Sequence, residues 1–371
     1  MNIMKKTDSP GKKTDSPAYL QMSLAAAMTL GLRPGIFYRG ATLSCINLLL
    51  TYESGCAGSC AYCGLQRQRS GRFSEKSFIR VEWPSFPLGE IIERIERYSS
   101  RIDRVCISMV THGRAVEDTL LVARSLKPLH KAVSVLMAPT VLSREDISAL
   151  KNAGAGIGSV AIDAATQEIF DRYRGRAVNG PHKWERYWQC LGGAVDVFGA
   201  GKAGCHLIVG LGETERDMAG TVQRVNDLGA NVHLFSFYPE EGSALEDREP
   251  CPSGQYRRLQ LASYLIGNGF SRFEGMTFDG AERISDFGVD ANEENIVIES
   301  GIPFMTSGCP GKDKLAACTR PYGDGPPGDI RSYPFTPNME DIARIRLELE
   351  DRCSACPETA HGRSARFEPE E

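Results

Sequence analysis

Cys56, Cys60 and Cys63 stand as Cys-x3-Cys-x2-Cys in the segment YESGCAGSCAYCGL. Three thiolates on one short loop suit three irons of a [4Fe–4S] cluster and leave the fourth iron open to substrate or cofactor. That geometry fits a cluster that does chemistry, not one that only relays electrons. A structural zinc ion asks for a fourth tetrahedral ligand and for different spacings. The glycines around the triplet suit a ligand loop better than a packed core.

Two further cysteines, Cys309 and Cys318, lie in ESGIPFMTSGCPGKDKLAACTRPYGDGPPGDIRSYPF. Its Gly and Pro content marks a shaped loop and not a core strand. Two cysteines close together in such a loop read as ligands for a second cluster. Cys353 and Cys356 form a Cys-x2-Cys near the end, in a polar tail where they read as bystanders. Cys45, Cys190, Cys205 and Cys251 read as structural or incidental.

The elements that must position these residues alternate in type. Strand-like runs at 43–52, 104–110, 132–138, 158–163, 204–210 and 231–239 are each followed by helical periodicity. The helix at 143–154 carries a capping serine and a closing glycine. Repeated βα units with near-continuous apolar strands predict a parallel sheet, and six such units predict a partial or complete (β/α) barrel. Runs at 270–279 and 295–304 are candidates for two more strands. In such folds chemistry collects beyond the strand C-termini, which is where the Cys56–Cys63 loop falls.

The 371-residue chain is 42% hydrophobic and 24% charged, the profile of a globular enzyme. A net charge of −4 argues against a nucleic-acid binder with a broad basic face. No apolar run reaches membrane-spanning length. Twelve cysteines without a secretory signal predict a reducing cytoplasm and metal ligation, not disulfides. The expected organisation is a disordered or partly helical leader over 1–35, a core over 36–290, a C-terminal cluster segment over 291–345, and a tail over 346–371. The leader contains the direct repeat KKTDSP-G-KKTDSP.

Cys56, Cys60, Tyr62 and Cys63 resemble the signature of radical S-adenosylmethionine (SAM) enzymes. The resemblance implies that the open iron binds SAM, that SAM is cleaved to a 5′-deoxyadenosyl radical, and that Tyr62 packs near the adenine. AGCHLIVGLGETERDMAGTVQRV (203–225) resembles the fifth-strand segment of biotin synthase and its relatives, which implies a close approach of Val209 and Gly210 to the adenine. VAIDAAT (160–166) resembles the fourth-strand segment that places Asp163 on the SAM ribose; a helix N-cap is the rival role for Asp163. Arg174 is a candidate clamp for the SAM carboxylate, with Arg176 competing. Cys106 resembles in position a cysteine that helps hold an auxiliary cluster in biotin synthase; its rival role is a buried core thiol.

The radical SAM domain joined to the SerGlyCysPro…CysxArgProTyr loop is similar to the two-protein lipoyl synthase of archaea and some bacteria, and more to its second subunit. This implies hydrogen abstraction from an octanoyl group on a lysine of a lipoyl carrier domain, with an auxiliary iron–sulfur cluster as sulfur donor. It also implies a partner subunit and an electron donor such as ferredoxin or flavodoxin, and no nucleic acid or membrane. No His/carboxylate pair is needed for hydrogen abstraction. His112 follows the second strand and is a candidate for the cavity, whereas His206 and His233 read as satisfied core residues. Arg67, Arg69 and Arg72 form a basic cluster that reads either as a dock for an acidic carrier domain or as a solvated loop face.

Overall fold

The computed structural model describes residues 15–323 and 327–351. Eight strands form one sheet: β1 (Tyr19–Met22), β2 (Cys45–Leu50), β3 (Ser85–Pro87), β4 (Arg104–Ser108), β5 (Ala132–Met137), β6 (Ala155–Asp163), β7 (Ala203–Val209) and β8 (Asn231–Ser236). Their order is β3-β1-β2-β4-β5-β6-β7-β8. From β2 through β8 the neighbours pair in parallel, and β1 runs antiparallel to both β2 and β3.

The six parallel strands are each followed by at least one helix, so the six βα units expected from the sequence are all present. Local signals explain the helix starts. Ser143 and Asp146 close a capping box on the helix Arg144–Asn152, and Thr214 and Asp217 close another on Glu215–Asp227. Gly158 lets the helix Trp184–Phe198 approach the sheet, because a Cβ there would meet Phe198 Cε2 at 2.5 Å.

The barrel stops at six units and is partial. The two extra strand candidates do not join it. Thr277–Phe278 is a two-residue strand that pairs with Ile284–Asp286 in a separate sheet. The run at 295–304 falls in the helix Ala291–Ser300 and the turn after it. The Asp290 carboxylate accepts from Asn292 N and Glu293 N to start that helix, and Gly301 ends it at a φ of 68°. These caps outweigh the β propensity of its Ile and Val residues.

From residue 15 the expected leader belongs to the wall. Leu20 and Met22 on β1 are fully buried, Gln21 Nε2 donates to Trp83 O at 2.8 Å, and Leu24–Thr29 is helical. The helix Met339–Glu350 runs through the expected boundary between the C-terminal segment and the tail. Cys353 and Cys356 lie outside the described residues. Among the described residues no helix is long and apolar enough to cross a membrane.

The segment after Gly301 closes the N-terminal end of the sheet. Leu234 N donates to Ser307 Oγ at 3.0 Å, Arg104 Nε donates to Pro310 O at 3.1 Å, and Lys312 pairs with Asp103 at 3.2 Å. Thr319 Oγ1 donates to Thr42 O. The loop with Cys309 and Cys318 is therefore a plug on the barrel floor, while the Cys56–Cys63 loop rises from the opposite, C-terminal end of β2.

Candidate active site

One cavity of about 320 Å³ contains both cysteine groups. Cys56, Cys60 and Cys63 line it at one end. Cys45, Cys106, Cys309 and Cys318 line it at the other. Between them the walls are apolar, with Leu49, Met109, Leu136, Ile208 and Phe235 among the lining residues. The volume is within the usual range for a bound small molecule.

The triplet loop is held from both sides. Ala57 N donates to Thr111 O at 2.8 Å, Ala61 N to Tyr173 O at 2.7 Å, and Ser59 Oγ to Val178 O at 2.8 Å. Within the loop, Gly58 N donates to Cys56 Sγ at 3.3 Å and Leu65 N to Cys63 Sγ at 3.4 Å. Such bonds favour the thiolate form. Burial works against it, pushing Cys60 up to about 11 and Cys63 well above its usual value. Thiols in this position stay protonated until a cation offsets the burial, and a bound metal does that outright.

Beside the triplet, Asp163 ends β6 with a φ of 67°, an uncommon conformation for a non-glycine residue. Its Oδ2 accepts from Tyr62 Oη at 2.7 Å and from Arg174 Nη1 at 2.6 Å. No donor among the described residues reaches its Oδ1, and Asp163 lines the cavity. The helix-cap role belongs instead to Thr166, whose side chain accepts from Ile169 N. Arg174 is buried and spends its donors inside the fold, on Ala161 O, Ile162 O, Asp163 and the Tyr187 hydroxyl. Only Arg174 Nε is left without a partner, so the expected clamp is a brace for Asp163.

Val209 and Gly210 lie off the cavity. Side chains alternate along β7, so His206 and Ile208 face inward while Val209 packs in the core. Gly210 turns at a φ of 105°, and its position abuts Cys251, whose Cβ would stand 2.7 Å from an added Cβ. The GLGE turn is closed by its own glutamate: Glu213 Oε1 accepts from Gly210 N at 2.6 Å and Oε2 from Leu211 N at 2.9 Å.

The floor group comes from three separated stretches of chain. Cys106 is the register partner of both Asn47 and Ser134, so these three stand side by side across β2, β4 and β5. Asn47 Nδ2 donates to Cys318 Sγ at 3.1 Å and to Cys45 Sγ at 3.8 Å. The hydroxyls of Ser134 and Ser159 lie beside Cys309 yet make no hydrogen bond of good geometry, and both are buried. Cys45 is pushed well up by its hydrogen bond with Cys318 and by burial, and Cys106 is pushed up to about 12 by burial. Cys45, expected to be structural or incidental, belongs to this group. Cys45 stands two residues before Asn47, on the same face of β2.

The histidines also differ from expectation. His112 is not in the cavity; it stacks on Tyr52 at 3.7 Å between ring centroids, and its nitrogens are engaged by Ser54 and Arg114 N. His206 and His233 line the cavity and face one another at 5.5 Å, and His233 Nδ1 is buried without a partner. Burial holds His233 down to about 4. His182, passed over in the sequence, lines the cavity at the triplet end. Arg67, Arg69 and Arg72 are not one basic face: they are bonded to Asn179 O, to Gly64 O with Ser77, and to Glu75 respectively. Arg176 does not line the cavity.

Residues 52–225 match the family model of the radical SAM superfamily. Over these residues the chain is similar to radical SAM proteins. Among solved structures it is similar to methylornithine synthase (PylB), at 12% identity and a TM-score of 0.49, over 66% of this chain and 66% of that one. It is also similar to HydG, a maturase of the [FeFe]-hydrogenase, at 12% identity and a TM-score of 0.47, over 66% of this chain and 53% of that one. Coproporphyrinogen III oxidase (HemN) from Escherichia coli matches at 16% identity and a TM-score of 0.36, over 58% of this chain and 50% of that one. The chain thus spans less than two thirds of the length of these proteins. No curated protein sequence matches it.

The superfamily implies a [4Fe–4S] cluster and SAM, and the residues fit both. The fit rests on three thiols on one loop, backbone N–H donors already aimed at two of their sulfurs, and a carboxylate oxygen left free beside them. Among the described residues no three His, Cys, Asp or Glu side chains converge on a point that suits a single metal ion. A cubane asks for less convergence, since each thiolate holds a separate iron.

Proposed function

We propose that this chain is a radical SAM sulfur-insertion enzyme that converts protein-bound octanoyl groups toward lipoyl groups. One observation carries the reading: a second set of four cysteines faces the triplet along one cavity with an apolar waist. Cys56, Cys60 and Cys63 would hold a cluster that, with SAM bound, would supply a 5′-deoxyadenosyl radical, and a group held on the floor would supply sulfide. Cys45, Cys106, Cys309 and Cys318 are the residues that would hold the auxiliary group. Asn47 already donates to two of their sulfurs, and the orphaned Ser134 and Ser159 hydroxyls need acceptors that sulfides provide.

The rest of the work falls to this chain's own side chains. Tyr62 and Arg174 orient Asp163 toward the ribose. The apolar waist suits an alkyl chain laid between the two ends and excludes water and stray hydrogen donors. The partners implied are a lipoyl carrier domain bearing octanoyl-lysine, a second synthase subunit, and a low-potential donor such as ferredoxin or flavodoxin.

The test is anaerobic incubation of the reconstituted chain with SAM, dithionite and an octanoyl-lysyl peptide. The expected products are 5′-deoxyadenosine and a peptide gaining sulfur. Turnover of dethiobiotin in place of the peptide would assign the domain to biotin-type chemistry and sink the lipoyl reading.

A further inference from the structure

The Tyr187 hydroxyl sits between Arg174 and His182. Arg174 Nη2 donates to it at 3.1 Å, and it lies 2.9 Å from His182 Nδ1. A guanidinium can only donate, so the tyrosine oxygen accepts from Arg174. Its own proton can go to His182 Nδ1 or to Thr140 Oγ1, which lies beside both groups, and either way a hydroxyl is left to donate to Nδ1. Thr140 Oγ1 stands 2.7 Å from the same nitrogen and is equally able to donate. A neutral imidazole with Nδ1 accepting carries its proton on Nε2. This assignment comes from the hydrogen-bond network around the ring.

His182 Nε2 faces the triplet loop. A Cβ placed on Gly58 would stand 3.1 Å from His182 Nε2 and 3.3 Å from Cys56 Sγ, so the two atoms flank one small space that Gly58 keeps open. His182 is buried, lines the cavity, and its Nε2 has no acceptor among the described residues. Nε2 therefore opens on the cavity beside Cys56 Sγ, where the acceptor within its reach would be an atom of a bound group.

We propose that His182 donates its Nε2–H to sulfur at the Cys56 corner of the triplet cluster and thereby sets the cluster's reduction potential. The proposal rests on the triplet holding a cluster, and it deepens the function above by naming a residue that governs its redox poise. A hydrogen bond to cluster sulfur strengthens as negative charge is added, so it favours the reduced state and raises the potential. His182 is a positioning residue in this role. Arg174 fixes its tautomer through Tyr187 and fixes Asp163 directly, so one guanidinium aligns both the donor and the carboxylate.

The experiment is a potentiometric titration, followed by EPR, of the full chain reconstituted anaerobically. The signal read is the one perturbed by SAM. At matched iron and sulfide content, His182→Phe is expected to be about tenfold less reduced at a given potential, a midpoint about 59 mV more negative for one electron. His182→Gln keeps an N–H near the Nε2 position and is expected to stay near wild type. Wild type and the Gln variant should show an exchangeable proton coupled to the reduced cluster, and the Phe variant should not. An unchanged midpoint in His182→Phe overturns the proposal. If that variant holds no cluster, Tyr187→Phe decides: freeing Nδ1 to take the proton should move the midpoint part-way in the same direction, and no movement overturns it. A wild-type chain without cluster iron overturns the triplet reading itself and the proposal with it.

Discussion

Arg174 and Asp163 pair at 2.6 Å, with the arginine side chain 8% and the carboxylate 13% exposed. The arginine also holds the carbonyls of Ala161 and Ile162, so it pins the end of β6 at the place where Asp163 turns to a positive φ. Asp163→Asn keeps the shape and removes one charge-assisted acceptor for the ribose. The expected result is a KM for SAM raised about ten- to a hundredfold, the worth of one hydrogen bond to a charged group. Arg174→Lys is expected instead to lower Tm first, since the three donors of one ammonium cannot serve four acceptors spread around a planar fork. Deoxyadenosine release against SAM concentration separates the two, and an unchanged KM in Asp163→Asn removes the ribose role.

The floor cysteines predict an iron count. Two cubanes give about eight irons per chain, and loss of one leaves about four. Cys309→Ala and Cys45→Ala are each expected to lose the floor cluster while keeping the SAM-dependent EPR signal. Iron and sulfide analysis with Mössbauer spectroscopy reads this. Should Cys309→Ala lose iron and Cys45→Ala keep all of it, Cys45 returns to a structural role. Should both keep it, the auxiliary cluster is wrong.

The triplet, the six βα units and the plug loop were legible because each is local. Cys-x3-Cys-x2-Cys is contiguous, strand and helix periods are contiguous, and the Gly- and Pro-rich run around Cys309 announces a shaped loop. Cys45 was not legible, because its partners Cys106 and Cys318 are brought to it only by strand register and the plug. His182 was hidden for the same reason: its role depends on Tyr187 and Thr140 from other elements. Val209 and Gly210 do not line the cavity, because alternation along the strand gives that face to His206 and Ile208. His206 and His233 were judged by strand membership, when the face of the strand decides. The helix Ala291–Ser300 was missed because its apolar residues mimic a strand and only Asp290 and Gly301 mark its ends.

Glu213 predicts a pH dependence of stability. Burial pushes its carboxyl up to about 7 from an ordinary value of 4.5, despite the bonds from Gly210 and Leu211 and the nearby Arg248. The native chain therefore holds a proton that the unfolded chain has released between about pH 4.5 and 7. Stability from this group is fully present below that window and falls as pH rises through it. The total loss is on the order of 3 kcal/mol. Glu213→Gln should flatten the fall in Tm between pH 5 and 7, even though it lowers Tm overall by giving up one of two acceptors. An unaltered slope in that variant would place the titration elsewhere.

Arg257 ties the plug to the barrel. It is 1% exposed and bonds Ile330 O, Arg331 O, Gln260 Oε1 and the Glu348 carboxylate. Residues 330–333 in turn align the plug, because Thr306 N donates to Tyr333 O and Tyr333 N to Phe304 O, both at 2.9 Å. Arg257→Ala takes the donor from Glu348 Oε2 and from the carbonyls of Ile330 and Arg331, while Arg344 Nε still donates to Glu348 Oε1. Breaking a buried pair in this way costs about 3–5 kcal/mol, a fall in Tm of about 4–6 °C for a chain of this length. Arg257→Lys should recover little, because an ammonium cannot span acceptors on three sides. The damage should reach the floor before the triplet, since only the floor cysteines depend on the plug. Partial heating of Arg257→Ala is therefore expected to release iron from the floor site while the SAM-dependent signal persists. Release of both together would show that the plug and barrel unfold as one unit.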